Sequence, residues 1–324
     1  MVLELPYPWC SASADYFAMA STYIADDFGD VLFFGSESAD IEKLKAAADI
    51  CQTESFEKNY NKKLKNGDGS TGAFLEILKG QGISGIGSND LLGISYIRAI
   101  NRQGLSMTPL CTARLGASYN SVIVENGQLP SATAIRELIS QNDWEAVRCL
   151  VPQDMYRMLL KQNEKGTVSD IHKLERLILG YFRLTSPDDL HDYAEAGGGV
   201  ANRLCNMAAE SVSVDEFYQK IRTKRYTDSK LHRAILFCMT KTRNGLLREM
   251  PKYTQLLAAN EAGCRILSSR RKSCKISVVT KPADAPKETE QYMESEKLEA
   301  LWSISLENPT SASHFLQMSA YIKK

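Results

Sequence analysis

The sequence lacks the features that mark zinc proteins, membrane proteins and secreted proteins. Its eight cysteines form no Cys-x-x-Cys pair and only four histidines are present, which argues against a zinc site with closely spaced ligands. No apolar run is long enough to cross a bilayer. The first ten residues, MVLELPYPWC, contain no basic side chain of the kind that begins a signal peptide. We therefore expect a cytoplasmic protein with reduced thiols, no metal and no membrane partner.

Basic residues are concentrated in one part of the chain. Over the whole sequence, 39 Lys and Arg balance 39 Asp and Glu. Between Lys220 and Lys281, however, sixteen Lys and Arg face only three acidic residues, so this segment carries a net charge of +13. A solvated basic surface is one interpretation of such a segment. The excess is large for a mixed surface, and it favours a nucleic-acid partner.

The first half of the sequence alternates between strand and helix patterns. The run 30–34, DVLFF, is continuously apolar, which is typical of a parallel strand covered on both faces. Strands are predicted at 2–6, 30–34 and 106–113, and helices at 13–23, 40–60, 72–79 and 91–103. This order indicates a doubly wound α/β domain, in which ligands bind beyond the carboxyl ends of strands.

The second half has predominantly helical spacing. Helices are predicted at 144–150, 153–162, 170–181, 199–211, 214–222, 229–239 and 253–269, with one short strand at 276–280. The segment KPADAPKE, 281–288, resembles a linker, and 295–321 is predicted to be a helical tail. We therefore expect an α/β domain over 1–150, a basic helical domain over 151–281, and a linker with a helical tail over 282–324.

The segment 129–138, LPSATAIREL, is a candidate phosphate site. Ser131 is suited to cap a helix, Thr133 falls in its first turn, and Arg136 follows about one turn later. The free N–H groups at a helix start favour an anion, and a hydroxyl and a guanidinium can add side-chain ligands. The alternative is an ordinary capped helix with a solvated arginine.

Three further residues fall at strand ends or a helix start. Gly35 follows the strand at 30–34, where a glycine either lets a ligand approach or simply ends the strand. Asn89 lies in Ser88-Asn89-Asp90, a group suited to cap the helix 91–103. Arg114 follows the strand 106–113 and is either a ligand-binding or a solvated side chain.

Several segments in order resemble the tRNA(Met) cytidine acetate ligase family, a branch of the HIGH-type nucleotidyltransferases. The segments are VLELPYPWCSASADYFA, VLFFGSES, SNDLLGISYIRAI, TARLGASY, PSATAIREL, KIRTKRYTDSKLHRAILF and NEAGCRILSSRRK. The resemblance implies an incomplete Rossmann-like domain followed by a mainly helical domain. It also implies that acetate and ATP, with Mg²⁺, form acetyl-adenylate, and that the acetyl group passes to N4 of the wobble cytidine of elongator tRNA(Met), with no DNA partner.

The resemblance also suggests roles for individual residues. Gly35, Asn89 and Arg114 would line the ATP site, and Ser131, Thr133 and Arg136 would hold the triphosphate. The residues expected to face tRNA are Lys224, Arg225, Lys230, Arg233, Arg270, Arg271 and Lys272. Tyr226 fits either base stacking or a core position. The Arg270–Lys272 run fits either phosphate contacts or the C-terminal end of a helix.

The sequence departs from the family pattern at the catalytic signature. The family has a His-x-Gly-His motif on its first strand-to-helix turn, whereas the four histidines here, at 172, 191, 232 and 314, are isolated. We therefore expect an N-terminally truncated homologue, for which both the active and the inactive form stay open. Loss of a buried first strand would remove on the order of 10 kcal/mol, so we also expect an unstable or self-associating α/β part.

Two other functions stay open at this point. One is a catalytically dead RNA-binding protein that keeps the basic helical domain. The other is a nucleotidyltransferase of the same superfamily that acts on a small phosphorylated substrate. The net charge of +13 over 220–281 argues against the second, because a small substrate needs no such field.

Overall fold

The structure is a computed structural model that describes residues 1–114, 130–270 and 272–323, apart from the side chain of Phe315. The strands are β1 (Val2–Leu3), β2 (Val31–Ser36), β3 (Thr108–Ala113), β4 (Tyr253–Ala259), β5 (Ser277–Val279) and β6 (Tyr321–Ile322). The helices are α1 (Ala14–Ala25), α2 (Ile41–Cys51), α3 (Glu54–Lys65), α4 (Ser70–Gly80), α5 (Ser88–Gln103), α6 (Ala132–Ser140), α7 (Trp144–Leu150), α8 (Gln153–Glu164), α9 (Glu175–Leu184), α10 (Pro187–Leu190), α11 (Val200–Glu210), α12 (Val214–Ile221), α13 (Asp228–Thr240), α14 (Asn244–Leu247), α15 (Glu261–Arg270) and α16 (Glu290–Ile304). None of the described helices is both long and apolar enough to cross a membrane.

Strands β2 and β3 form a parallel pair, as the alternation of strand and helix patterns along the sequence predicts. Their register runs from Val31 opposite Thr108 to Ser36 opposite Ala113. Helices α2 and α5 pack on this pair, and α1 packs on α5. Phe34 contributes to the apolar cluster between the strands and the two helices. The α/β prediction for this part of the chain is therefore confirmed.

The prediction that β2 is covered on both faces is wrong within the described residues. Val31 and Phe33 are 50% and 65% exposed, and Leu110, which is paired with Phe33, is 42% exposed. Burial therefore alternates along β2, because α2 and α5 cover one face of the pair only. A continuous apolar run does not by itself reveal how many faces of a strand are packed.

A glycine allows α5 to approach β2 closely. Gly93 lies in the middle of α5, where glycine disfavours a helix by about 1 kcal/mol relative to alanine. A Cβ atom built at Gly93 would lie 2.5 Å from Cε2 of Phe34 and 3.3 Å from Cδ1 of Leu44. The aromatic ring therefore occupies the space that a side chain at position 93 would need.

The helix predicted over 40–60 is two helices, α2 and α3. The chain turns at Gln52 and Thr53, and the Thr53 hydroxyl caps α3 by accepting a hydrogen bond from the Phe56 amide at 3.2 Å. The apolar periodicity continues across this break, which is why the pattern alone predicts one helix. The threonine cap signal is present in the sequence and marks the start of α3.

The helix predicted over 253–269 is wrong in its first half. Tyr253–Ala259 is strand β4, and only Glu261–Arg270 is helical. Strand β1 pairs antiparallel with β4, with Leu3 opposite Leu256, while β5 and β6 pair parallel with it. The first strand of the chain thus joins this second sheet rather than the β2–β3 pair. Long-range pairing overrides the local periodicity of YTQLLAA.

The N-terminal segment anchors the α/β part to the helical part. Tyr7 and Trp9 are fully buried against Phe237 and Leu247. The indole Nε1 of Trp9 donates a hydrogen bond to the Leu247 carbonyl oxygen at 3.3 Å. A separate large core lies among α9, α11, α12 and α13. The division of the chain at residue 150 stays a prediction.

Candidate functional site

The structure brings Gly35 and Arg114 together at the carboxyl end of the parallel pair. Gly35 lies opposite Thr112, and the Arg114 amide donates a hydrogen bond to the Ser36 carbonyl oxygen at 2.9 Å. A Cβ atom at Gly35 would lie 4.0 Å from Cβ of Arg114, which is an ordinary contact. Gly35 is exposed, so this strand end is accessible to a ligand.

Asn89 lies beside this strand end through Glu37, a residue that the sequence analysis missed. The Asn89 amide and its side-chain Nδ2 both donate to Oε1 of Glu37, at 3.1 and 2.7 Å. The Asp90 amide donates to Oε2 at 2.9 Å. Burial opposes ionisation of Glu37, but these hydrogen bonds outweigh it and hold the pKa of the carboxyl group below its usual value. Glu37 therefore fixes Asn89 at the start of α5.

The capping residue of α5 is Gly87 rather than the Ser88-Asn89-Asp90 group that the sequence indicates. The helix begins at Ser88, and the Asp90 carboxylate reaches back to accept a hydrogen bond from the Gly87 amide at 3.0 Å. A Cβ atom at Gly87 would lie 2.6 Å from Cδ of Glu37. Glycine is required here because the Glu37 carboxyl group occupies that space.

Asp90 ties the end of β2 to the start of α5. Its fully buried carboxylate accepts from Ser36 Oγ at 2.5 Å, and from the amide and hydroxyl of Ser38 at 3.2 and 3.1 Å, in addition to Gly87. Burial would raise the pKa of Asp90, but these bonds together lower it. A charge-assisted network therefore holds the strand end, Glu37 and Asn89 in one arrangement.

The predicted cap of α6 is confirmed as a cap, and its phosphate-binding role stays a prediction. The buried Ser131 hydroxyl accepts from the Ala134 amide at 3.0 Å. The exposed Arg136 donates through Nη2 to Thr133 Oγ1 at 3.3 Å. The three side chains therefore lie on the first turns of one helix, whose main described packing partner is α7.

A cleft of about 610 Å³ lies between the α/β part and the helical part. Elements α1, α3 and α4 line one side, and the loop 195–199 with the start of α13 lines the other. An adjoining cavity of about 520 Å³ shares Asp15, Tyr60 and Arg233 with the cleft and extends to Asn89 at the start of α5. The cleft and the adjoining cavity thus extend from the basic segment to Asn89 at the start of α5.

Arg225, Lys230 and Arg233 line this cleft together with Tyr226. The Tyr226 hydroxyl donates to the Gly198 carbonyl oxygen at 2.5 Å. Its ring lies 5.0 Å from Lys230 Nζ and 5.3 Å from Arg225 Cζ, which are cation–π distances. The ring also packs on the helical core, so Tyr226 both supports the fold and borders the cleft.

Glu195 is the second residue that the sequence analysis missed. Its Oε1 atom accepts from Nε and Nη2 of Arg233 at 3.2 and 3.1 Å, and its Oε2 atom lies 3.5 Å from Lys230 Nζ. Glu195 lies in a triglycine segment, AEAGGG, 38 residues before Arg233, so no local pattern reveals the pairing.

The remaining basic residues lie away from the cleft lining. Lys224 is exposed, and Arg270 and Lys272 are exposed at and just after the end of α15. Arg270 Nη2 lies 3.9 Å from Asp30, an exposed ion pair. Arg271 lies outside the described residues. The described residues include no group of three or more His, Cys, Asp or Glu side chains arranged to hold a metal ion.

Comparisons with known proteins give one consistent family. The model of the HIGH Nucleotidyl Transferase family matches residues 1–315. The tRNA(Met) cytidine acetate ligase of Thermotoga maritima is 30% identical over 302 residues, covering 86% of this chain and 71% of the relative. That of Caldicellulosiruptor saccharolyticus is 31% identical over 290 residues, covering 87% and 71%. That of Fervidobacterium nodosum is 29% identical over 292 residues, covering 86% and 68%.

Solved structures show the same fold. The apo crystal structure of Thermotoga maritima TmcAL superposes with a TM-score of 0.87 at 24% identity, covering 100% of this chain and 84% of that one. A second form of that protein, bound with alpha-thio ATP, gives a TM-score of 0.86. The mixed α/β and helical architecture is therefore shown by both the geometry and the comparison.

Proposed function

Because the chain belongs to the HIGH nucleotidyl transferase family, and within it to the tRNA(Met) cytidine acetate ligases, we propose that it acts on elongator tRNA(Met) in the cytoplasm. The substrates proposed with the tRNA are ATP and acetate, and the proposed product carries an acetyl group on N4 of the wobble cytidine. The observation that carries this proposal is the cleft that, with its adjoining cavity, extends from Arg225, Lys230 and Arg233 to Asn89 at the start of α5.

The basic wall of the cleft is suited to an RNA backbone. Arg225, Lys230 and Arg233 supply cationic donors along one side, and the Tyr226 ring offers an aromatic edge. RNA sites combine phosphate contacts with aromatic side chains on which unstacked bases stack. The opposite wall carries Asp15, whose carboxylate is the type of acceptor that the exocyclic amine of cytosine prefers.

The strand-end residues are suited to the nucleotide. Gly35 and Arg114 lie at the carboxyl end of a parallel pair, where α/β proteins bind nucleotides. Asn89 lies next to them at the start of α5 and also borders the cavity that adjoins the cleft. We propose that these three bind ATP with Mg²⁺ and that Ser131, Thr133 and Arg136 contact its phosphates.

The chemistry assigned to these 324 residues is binding and orientation. The sequence contains no His-x-Gly-His, so no residue here is assigned to stabilise charge at the α-phosphate. We therefore propose that these residues contribute to the ligase reaction by binding and orienting the tRNA and the nucleotide. An RNA-binding protein without ligase activity is the second candidate function, and the missing motif is the observation that favours it.

Binding of labelled elongator tRNA(Met) and a control tRNA across a salt series tests the proposal. We expect the logarithm of affinity to fall linearly with the logarithm of salt concentration, by about 0.7–0.9 for each phosphate contact. Neutralising Lys230 and Arg233 together as glutamines should reduce that slope by about 1.4–1.8. Arg157→Gln, which affects an exposed ion pair with Asp154, is the matched control and should leave the slope unchanged.

The same assay with ATP and acetate separates the two candidate functions. Acetylated cytidine in the tRNA would support the ligase activity and contradict the second candidate function. Salt-dependent binding without acetylation would support RNA binding as the function of these residues. If the tRNA does not bind even at low salt, the function proposed for the basic cleft is wrong.

A further inference from the structure

Glu195 places a carboxylate beside two of the three cations that line the cleft. It accepts two hydrogen bonds from Arg233 and pairs with Lys230, which lies one helical turn earlier on α13. The side chains of Glu195, Arg233 and Lys230 are 14%, 22% and 33% exposed. All three line the cleft, so the cluster borders the space where the proposed function places RNA.

The backbone around Glu195 fixes where its carboxylate lies. Glu195 has φ of +63°, in the left-handed region that non-glycine residues rarely adopt. Ala194 and Ala196 on either side are fully buried, and the Ala194 amide donates to the Thr242 carbonyl oxygen at 2.8 Å. Packing of both neighbours therefore holds an unfavourable conformation in place, as is common where a side chain must be positioned.

The ion pair leaves the cations able to bind a further acceptor. Glu195 engages Nε and Nη2 of Arg233, so the Nη1 group can donate toward the cleft. Lys230 Nζ lies between the Glu195 carboxylate and the Tyr226 ring. The cluster keeps a net positive charge, because one carboxylate faces two cations. A fixed guanidinium of this kind suits bidentate recognition of phosphate better than a freely rotating one.

We propose that Glu195 is a positioning residue that orients Arg233 and Lys230 to bind a phosphate group of RNA in the cleft. The inference rests on the proposed function, because it takes the RNA backbone as the favoured source of that phosphate. The charge of the 220–281 segment favours RNA over the triphosphate of a nucleotide. Binding of ATP alone is a separate arm of the test.

The test compares Glu195→Gln with the wild-type chain in binding elongator tRNA(Met), a control tRNA and ATP. Removing the carboxylate adds one net positive charge, which by itself favours binding of any RNA, so Glu195→Gln is compared with a variant that makes the same charge change. Relative to that variant, the affinity for both tRNAs should fall about fivefold, because Arg233 loses the orientation in which it contacts a phosphate. A merely structural role would lower the stability and leave the affinity of the folded chain equal to that of the control variant.

Asp228→Asn is the matched control. It makes the same charge change within the same basic segment, but Asp228 pairs with Arg222 in an exposed ion pair outside the cleft lining. Its affinities for both tRNAs should equal or exceed those of the wild-type chain, because the variant adds one positive charge without disturbing Arg233. If Glu195→Gln gives the same affinities as Asp228→Asn, the inference is wrong while the proposed function stands.

Arg233→Lys provides an independent test if Glu195→Gln fails to fold. It keeps the charge on a part-buried helix position but removes the planar fork that Glu195 holds. The salt slope should stay the same while the affinity for both tRNAs falls. An unchanged affinity would overturn the inference. If Arg233→Lys weakens the binding of ATP but not of tRNA, the phosphate that Arg233 contacts belongs to the nucleotide, and the choice of RNA is wrong. If the wild-type chain binds no tRNA, the proposed function fails and the inference with it.

Discussion

Replacing Asp90 should disrupt the strand end that carries the candidate nucleotide site. The Asp90 carboxylate is fully buried and accepts from Ser36 Oγ, Gly87 N, Ser38 N and Ser38 Oγ. In Asp90→Ala these donors lose their acceptor at once. The donors belong to the end of β2, the turn after it and the cap of α5, so one substitution loosens all three.

The size of the effect follows from the number and burial of these bonds. A hydrogen bond to a charged group contributes about 1.5–3 kcal/mol, and less where water can replace the lost acceptor. The hydrogen bond from Ser36 to Asp90 is fully buried, whereas those from Gly87 and Ser38 are part-buried. We therefore expect Asp90→Ala to lower the free energy of unfolding by about 3–5 kcal/mol. Asp90→Asn keeps one acceptor oxygen and should cost about 1–2 kcal/mol.

Urea unfolding followed by circular dichroism at several pH values measures both variants. The pKa of Asp90 lies below its usual value in the folded state, so its contribution is complete above about pH 4 and is lost as the pH falls through the folded pKa. The difference in free energy of unfolding between the wild type and Asp90→Asn should therefore shrink as the pH falls below about 4. Asp143→Ala, which removes an exposed cap with one donor, is the control and should cost about 1 kcal/mol. If Asp90→Ala costs no more than Asp143→Ala, the network does not hold the site together.

Three further substitutions test the packing. Trp9→Ala removes a fully buried ring and its bond to Leu247, and should cost about 3–5 kcal/mol in urea unfolding. Gly93→Ala should destabilise by about 1–3 kcal/mol despite its better helix propensity, because its Cβ would meet the Phe34 ring; a stabilised variant would contradict that contact. Phe33→Ser should change the free energy of unfolding by less than about 0.5 kcal/mol, because the ring is exposed, while reducing self-association in analytical ultracentrifugation.

Local patterns in the sequence predict most of the helices and the parallel pair. Helix α7 has its predicted bounds of 144–150, and α5 ends at Gln103 before Gly104, which has the left-handed conformation of a helix stop. Strand β4 could not be predicted in this way. Its apolar residues fit helix and strand alike, and its partner β1 lies about 250 residues earlier in the chain. Only the folded chain brings that partner within reach.

The residues of the candidate site likewise fall into two groups, those that local patterns in the sequence predict and those that they do not. The cationic residues are predictable because Lys and Arg are concentrated in one segment. The acidic residues that hold the site, Glu37 and Glu195, have no local sequence signal, because each pairs with residues 35 to 53 positions away. A single carboxylate in a loop has no local signature. Its role depends on which helix start or cation the fold places beside it.

The N-terminal segment gives the cleft a defined width. Trp9 is held between Phe237 on α13 and Leu247, and Ser13 and Asp15 follow it by only a few residues on the opposite wall of the cleft. Lys230 and Arg233 lie on the same helix as Phe237. The distance across the cleft is therefore set by a short stretch of chain and the length of one helix, rather than by a flexible linker.

For this reason we expect Trp9→Ala to weaken discrimination between tRNAs more than substitution of an equally buried side chain in the helical core, such as Phe217→Ala, at a matched loss of stability. Equal ratios of tRNA affinities for the two variants would show that the segment supports the fold without setting the cleft.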